Sequence, residues 1–378
     1  MYREFVHREI IHREIVVLAV LVGVTVVAFL VTRSVAANND DLRRQQAALW
    51  FEAAQDALQS GRAEPAVVSL RRAVSRDPEN RDYRLALANA LAASRLNDEA
   101  KRVLLILREA EPEDAEANLQ FARLEARGAD ADAARRYYES ALAGLWRPES
   151  AEERREVRLE LIDFLLARGE RDRALSELLV VDANLPPDVT VQAQVGRLFL
   201  SAGAPRQALD RFVGALDTDS DDGPALAGAG EAAFALGDYA GARRYLDAAP
   251  PDDERVAELR EVARLVLVSD PLEPRLAANE RRRRLLVALE QATESLEVCL
   301  VGSMVDSRAD LESIRTEALD FDAALAAERR GDVRDFIDDG VDLIYRIERA
   351  IEPRCRRLTT PLDRALLLIG RRRGFEEQ

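Results

Sequence analysis

The sequence predicts an all-α protein made of a transmembrane helix, a stack of helix–turn–helix units and a C-terminal helical bundle. Three observations predict it. The helix formers Ala, Leu, Arg and Glu dominate the composition, and aromatic residues make up only 5%. Ile15–Thr32 (IVVLAVLVGVTVVAFLVT) is apolar and carries no charge. Alanines then recur at a spacing of 34 residues along much of the chain.

Composition narrows the function. The 378 residues carry a formal net charge of -15, and an acidic surface repels phosphate backbones and anionic headgroups, so no nucleic-acid partner is expected. The basic residues are nearly all arginine, Lys101 being the one lysine. The histidines, His7 and His12, both precede the apolar run, so the rest of the chain lacks the usual general base and the commonest metal ligand. Cys299 and Cys355 form no CxxC motif. With no nucleophile–base pair, phosphate loop or metal cluster, the expectation is a non-enzyme with no cofactor, no catalytic residue and no metal.

The apolar run reads as an uncleaved span over residues 15–32, stopped by Arg13 and Glu14 on one side and Arg33 on the other. In lipid only a helix satisfies the backbone within one segment. A cleaved leader ending near Ser34-Val35-Ala36 is the rival, but the run is longer than a usual leader core of about 7–15 residues. Arg3, Arg8 and Arg13 before the span balance Arg33, Arg43 and Arg44 after it, so the positive-inside rule does not decide orientation. The short tail, residues 1–14, is rich in both charges and awkward to translocate. It is expected in the cytoplasm, with the stack in a bacterial periplasm; the opposite side is the alternative. Residues 33–46 are read as a linker.

The periodicity decides the fold. Ala66, Ala100 and Ala134 are 34 apart, and after an insertion near Ser150–Arg155 so are Ala174, Ala208 and Ala242. A large apolar residue follows each by four positions: Leu70, Leu104, Tyr138, Leu178, Phe212 and Leu246. Gly61, Gly169, Gly203 and Gly237 fall five positions before an alanine, in the turn between helices, and Pro78, Pro112 and Pro186 end units. With Trp50, Ala54, Ala88, Ala122, Gly196, Ala229 and Gly230 on the first helices, this pattern resembles the tetratricopeptide repeat family. The resemblance implies a right-handed superhelical solenoid of about six repeats over residues 47–252, in a membrane-anchored bacterial protein. Leu107 at a small-residue position, and Trp146 and Ser220 where prolines would end units, depart from the family pattern.

Beyond residue 252 the period fades, and residues 253–378 are expected to form a separate helical bundle. Asp270-Pro271-Leu272-Glu273 reads as a helix start. Apolar faces run through Leu285, Leu289, Ala292 and Leu296, through Leu311, Ile314, Phe321 and Leu325, and through Ile337, Ile344, Ile347 and Ile351, and Pro361 opens a last helix. A Cys299–Cys355 disulfide is permitted by such a bundle without being required, buried free thiols being the alternative. Arg281–Arg284 spreads around a helix and reads as a solvated charge run. The acidic stretch Asp217–Asp222 lacks the glycine and glutamate that a calcium loop needs.

In tetratricopeptide proteins the first helices line a concave groove. By family position the groove here would hold Phe51, Gln55, Leu58, Leu85, Asn89, Leu119, Arg123, Leu159, Asp163, Arg197 and Phe234. The carboxylate clamp of some family members is not visible, so an extended or helical protein segment is the expected ligand. The resemblance thus implies a membrane-tethered scaffold or adaptor, with bacterial envelope assembly or protein-complex biogenesis as the setting. The alternative is a structural subunit of a larger membrane complex, its span packing through Gly23, Thr25 and Ala28 without a GxxxG motif.

Overall fold

The computed structural model describes residues 2–128, 130–146, 150–251, 253–302, 308–327, 333–355 and 360–371; the side chains of residues 2–20, 36, 302 and 333–335 are not described. The paired histidines and charged side chains of the N-terminal tail therefore lie outside the described set. Every regular element among the described residues is an α-helix. They are α1 Tyr2–Gln59, α2 Ala63–Arg76, α3 Arg81–Ala93, α4 Asn97–Ala110, α5 Ala115–Ala126, α6 Ala131–Ala143, α7 Ala151–Ala167, α8 Arg171–Asp182, α9 Val189–Ser201, α10 Pro205–Thr218, α11 Gly223–Ala235 and α12 Tyr239–Ala248. After them come α13 Glu254–Ser269, α14 Ala278–Gly302, α15 Arg308–Ala327, α16 Val333–Cys355 and α17 Pro361–Arg371.

Local chemistry sets the helix starts. Asn80, Asp114, Asp188 and Asp222 precede α3, α5, α9 and α11, and each accepts a hydrogen bond from the backbone N–H three residues on, at 3.2, 3.0, 2.9 and 2.8 Å. Such caps satisfy donors that a helix terminus leaves orphaned. In the turn before each second helix, Gly61, Gly169, Gly203 and Gly237 take φ between +71° and +80°. Arg95 holds the same left-handed position at φ +61°, where a side chain strains the backbone by about 1–2 kcal/mol.

The helices pair through their smallest residues. Ala54, Ala66, Ala100, Ala122, Ala134, Ala174, Ala208, Ala229 and Ala242 are fully buried, and so are Leu70, Leu104, Leu178, Phe212 and Leu246. Small residues let the backbones approach, and the larger ones fill the space between successive pairs. The tightest contact is at Phe212, whose ring stands where a β-carbon on Gly196 or Gly228 would lie, at 2.9 and 2.2 Å respectively. The insertion before the fourth pair lengthens α7 to 17 residues, against 12 or 13 for α3, α5, α9 and α11.

The chain divides into two compact units, Met1–Phe164 and Leu165–Gln378. In the first, residues 33–46, read as a linker, are helical, and α1 runs through them without a break into the first repeat. That stretch holds no Gly or Pro, the two residues that break helices most strongly. In the second unit the core is continuous across residue 252, because Tyr239, Val262, Leu285, Ile344 and Leu366 belong to one buried cluster. The helix α13, which the sequence reading had passed over, joins the two parts by packing on α12 and α17.

The helix expected to start at Pro271 does not. Asp270 instead follows the end of α13, accepts a hydrogen bond from Leu272 N at 2.8 Å, and an irregular segment leads to α14 at Ala278. Pro274 explains this, since the residue before a proline is pushed out of the helical region. At the other end, Thr360 and Asp363 form a reciprocal capping box for α17, with Thr360 N donating to Asp363 Oδ2 at 2.6 Å and Asp363 N donating to Thr360 Oγ1 at 3.2 Å. Cys299 near the end of α14 and Cys355 at the end of α16 are joined through their sulfurs, with α-carbons 5.8 Å apart.

Glu348 of α16 is 2% exposed, and its Oε1 has no hydrogen-bond partner among the described residues. Burial, with the nearby Asp363 charge, pushes its carboxyl up to about 9. Asp363 is already satisfied by Ser295 and Thr360, so Glu348 is the group that keeps a proton.

Two predictions follow from the packing and from this buried acid. Gly228→Ala gains about 1 kcal/mol of helix propensity but must displace the fully buried Phe212 ring. Overpacking of this kind costs about 1–3 kcal/mol, so the melting temperature of the full chain is expected to fall. Glu348→Gln acts through pH. The folded-state value lies above the unfolded one of about 4.3, so the folded state holds a proton that the unfolded state releases. Stability is then intact below about pH 4 and falls as pH rises toward about 9. The glutamine variant is expected to exceed the parent by on the order of 2–4 kcal/mol at pH 8 and to match it near pH 4, read from urea unfolding at both pH values.

Candidate protein-binding groove

First helices of successive pairs neighbour one another, α3 beside α5 in the first unit, and α9 beside α11 and α11 beside α13 in the second. On α3, α5 and α7 the expected groove positions four residues apart differ in how far the packing covers them. Leu85, Leu119 and Leu159, which the family position assigned to the groove lining, are only 9%, 6% and 7% exposed. They belong to the packing between pairs, because a leucine beside a helix crossing gains more from burial than from solvent contact. What the first unit displays is Gln55 and Asp163, exposed, and Phe51, Leu58, Asn89 and Arg123, half-buried.

Their surroundings differ. Phe51 lies against Tyr83, with ring centroids 4.9 Å apart, which gives the groove an aromatic edge. Asn89 Oδ1 is buried and without a hydrogen-bond partner among the described residues. Leaving such an acceptor unpaired costs about 1–3 kcal/mol, which a ligand N–H would recover.

Arg123 is already engaged. Its Nε lies 3.1 Å from Glu160 Oε1 and its Nη2 2.9 Å from Oε2, and Tyr138 donates its hydroxyl to Oε1 at 2.7 Å. Burial pushes the Glu160 carboxyl up, but these donors outweigh it and hold the group below the usual carboxylate range. The same contact raises the Tyr138 hydroxyl, after burial itself. Asp163 on the next turn is raised by burial and by the Glu160 charge.

In the second unit, Arg197 and Phe234 come together on the wall of a cavity of about 690 Å³ between α9, α11, α13 and α17. Glu231, Arg255, Glu258 and Arg364 complete its charged lining. Arg255 Nη2 lies 3.1 Å from Glu231 Oε2, and Arg364 pairs with Glu258. Glu231 is raised chiefly by burial, against the attraction of Arg255. Phe234 is braced edge-on by Tyr239, with centroids 5.2 Å apart. Arg197 is exposed and has no carboxylate in ion-pair contact among the described residues. The cavity thus offers an aromatic floor, a free guanidinium and two neutralised ion pairs.

Sequence reasoning missed most of this cavity. Glu231 could have been found, since it lies three residues before Phe234 on the same helix face. Arg364 could not, because it comes from a helix more than a hundred residues away. A separate concavity of about 610 Å³ lies at the loop ends of the first unit. It holds none of the expected groove residues. There Arg81 forks onto Asp114 through two contacts of 2.7 Å and reaches Glu116 at 2.9 Å.

The tetratricopeptide repeat model matches residues 57–128 and 199–265. The chain carries tetratricopeptide repeats. The second match extends into α13, in keeping with the continuous core there. No curated protein matches the chain. Among solved structures, it is similar to PilW, described as a widely conserved type IV pilus biogenesis factor, at 20% identity and TM-score 0.41, covering 56% of this chain and 96% of that one. It is similar to pilF of Pseudomonas aeruginosa at 20% identity and TM-score 0.34, covering 60% and 86%. It is also similar to the P58(IPK) TPR domain at 15% identity and TM-score 0.29, covering 87% and 99%.

One prediction tests whether Arg123 is structural. Glu160 is held below its unfolded value, so its contribution is present above about pH 4.3 and lost as pH falls through the lower folded value. Both groups are about a third exposed, and solvent screening limits the loss in Arg123→Ala to about 1 kcal/mol. Thermal unfolding should show that loss at pH 7 and a progressively smaller one as pH falls into the acid range.

Proposed function

We propose that this protein is a non-catalytic, membrane-tethered scaffold whose tetratricopeptide repeats hold a segment of another protein. The observation that carries the reading is the second unit's cavity, where the unpaired Arg197 stands beside Phe234. That combination suits a segment presenting an apolar side chain next to a carboxylate. A free chain terminus is not required. Two further observations support the tether and the organisation. Among the described residues α1 is the one helix long and apolar enough to cross a membrane. The repeats follow it in the same chain without an irregular break. We place the span at residues 15–32, the repeats at 47–252 and the C-terminal helices after them, with the repeats on the periplasmic side of a bacterial inner membrane. The disulfide between α14 and α16 suits that oxidising compartment.

The test is recovery of partners from membranes solubilised in mild detergent. The full chain and an Arg197→Glu/Phe234→Ala variant are compared, with helicity checked by circular dichroism. The variant is expected to keep its helicity and lose most of the recovered partner, by about tenfold or more, as for two hot-spot residues together. Equal recovery would move the binding surface off this cavity. A partner held in fixed stoichiometry through high-salt washing, and indifferent to both substitutions, would instead make the chain a permanent building block of a larger complex.

A further inference from the structure

The cavity of the second unit lies against α17, and the chain runs on past that helix with the chemistry the cavity lacks. Arg364, on the exposed side of α17, is part of the cavity wall. Residues 372–378, Arg-Arg-Gly-Phe-Glu-Glu-Gln, follow α17 and lie outside the described residues. Of the segments outside that set, this one alone carries an aromatic side chain, Phe375, and two carboxylates follow it directly, Glu376 and Glu377.

Charge in the cavity is unevenly matched. Glu231 takes Arg255, and Glu258 takes Arg364. Asp253 caps the start of α13, where Arg255 N donates to it at 2.9 Å. Arg197 is the cation left over among the described residues, with Phe234 and Leu200 in the same lining. A second aromatic ring against Phe234 and a carboxylate on Arg197 are the two contacts that would complete it.

The chain is long enough to supply both. From Arg364 to Arg371 the helix advances about 10 Å at about 1.5 Å per residue. Four further residues reach Phe375, and at about 3.3–3.6 Å each they span about 13–14 Å. The segment can therefore turn back along α17 and set Phe375 level with Arg364, with Glu376 and Glu377 beyond it. Gly374, immediately before Phe375, takes the backbone conformations of a reversal without a side-chain clash. Arg372 and Arg373 would then cross the outer surface of a chain whose net charge of -15 does not repel them.

We propose that residues 374–377 occupy this cavity in the resting protein, so that a segment of another protein must displace them to bind. A short flexible connection gives an effective concentration in the millimolar range, so the chain's own segment competes even with a weak intrinsic affinity. The proposal rests on the reading of this cavity as the binding site and adds its regulation.

The test places the photoreactive residue p-benzoylphenylalanine at position 375 of the full chain. On irradiation, the cross-link should form within one chain, on α9 or α11, as read by mass spectrometry of the digest. Arg197→Glu should lower its yield by about fivefold or more, because it sets like charges against each other. Cross-links that avoid the cavity, a product of twice the chain mass, or a yield indifferent to Arg197→Glu would overturn the proposal. A labelled synthetic peptide of residues 372–378 gives a second measurement. It should bind the full chain carrying Phe375→Ala/Glu376→Ala/Glu377→Ala about threefold or more tightly than the unaltered chain, whose cavity is already filled. Equal affinities would sink the idea. Neither readout involves the partner. A cavity cross-link, with partner recovery indifferent to Arg197→Glu/Phe234→Ala, upholds the contact and removes the partner from this cavity. Partner recovery that depends on those residues, with no cavity cross-link, does the reverse.

Discussion

Two helices can cross only as closely as the residues at the crossing are small, and every other feature of the repeats depends on that. Backbones about 8–10 Å apart leave no room for more than a methyl group or a hydrogen at the contact. The fully buried alanines at 66, 100, 134, 174, 208 and 242 meet that demand. The demand also fixes where the large residues go. They sit one turn further on and fill the space before the next pair, so no pair closes its core alone. Phe212, lodged against Gly196 and Gly228, is where the constraint is tightest, and there even a methyl group has been excluded.

The same geometry decides what is left for a partner. Positions that stabilise the stack are swallowed by it, which is why Leu85, Leu119 and Leu159 are interior, whereas Gln55, Asn89 and Arg197 are not. Polar residues survive on the open face because solvent or a ligand can satisfy them there. Arg123 lies between these cases. Its guanidinium is on the open side, but the half-buried Glu160 carboxylate claims it. An arginine predicted as a contact from helix position alone is thus a brace between the third and fourth pairs.

How much of this was legible in the sequence follows from the range of the interactions. The alanines, the turn glycines and the aspartate caps act within one helix pair, and their regular spacing exposes them. Arg95 in a left-handed turn was hidden because its neighbours in the pattern are glycines, and only the backbone reveals the strain. The irregular segment after Asp270 was misread because an N-cap, a proline and a glutamate in the right order outweighed one later proline. Glu348 could not be read at all. An isolated glutamate on an apolar helix face looks like a boundary residue until tertiary packing closes over it and places Asp363 nearby. The placement of Arg364 beside Glu258 was hidden for a similar reason, since α17 returns to α13 only in the folded chain.

An unbroken helical stalk differs physically from a flexible linker. A flexible segment would let the repeats tumble independently of the apolar run. An unbroken helix fixes both the distance and the rotation of the first repeat relative to the apolar run, at about 1.5 Å and 100° per residue. Side-chain rotation is then inherited along the chain, so the orientation of the first repeat sets that of the apolar run. Val35, Leu42 and Leu49 are exposed while Ala47 and Ala54 are buried, so the helix turns one side to the repeat and leaves another open. A change of one residue in stalk length would rotate the first repeat by about 100° relative to the apolar run. That dependence on register, rather than on the identity of any single residue, is the constraint that joins the apolar run to the repeats.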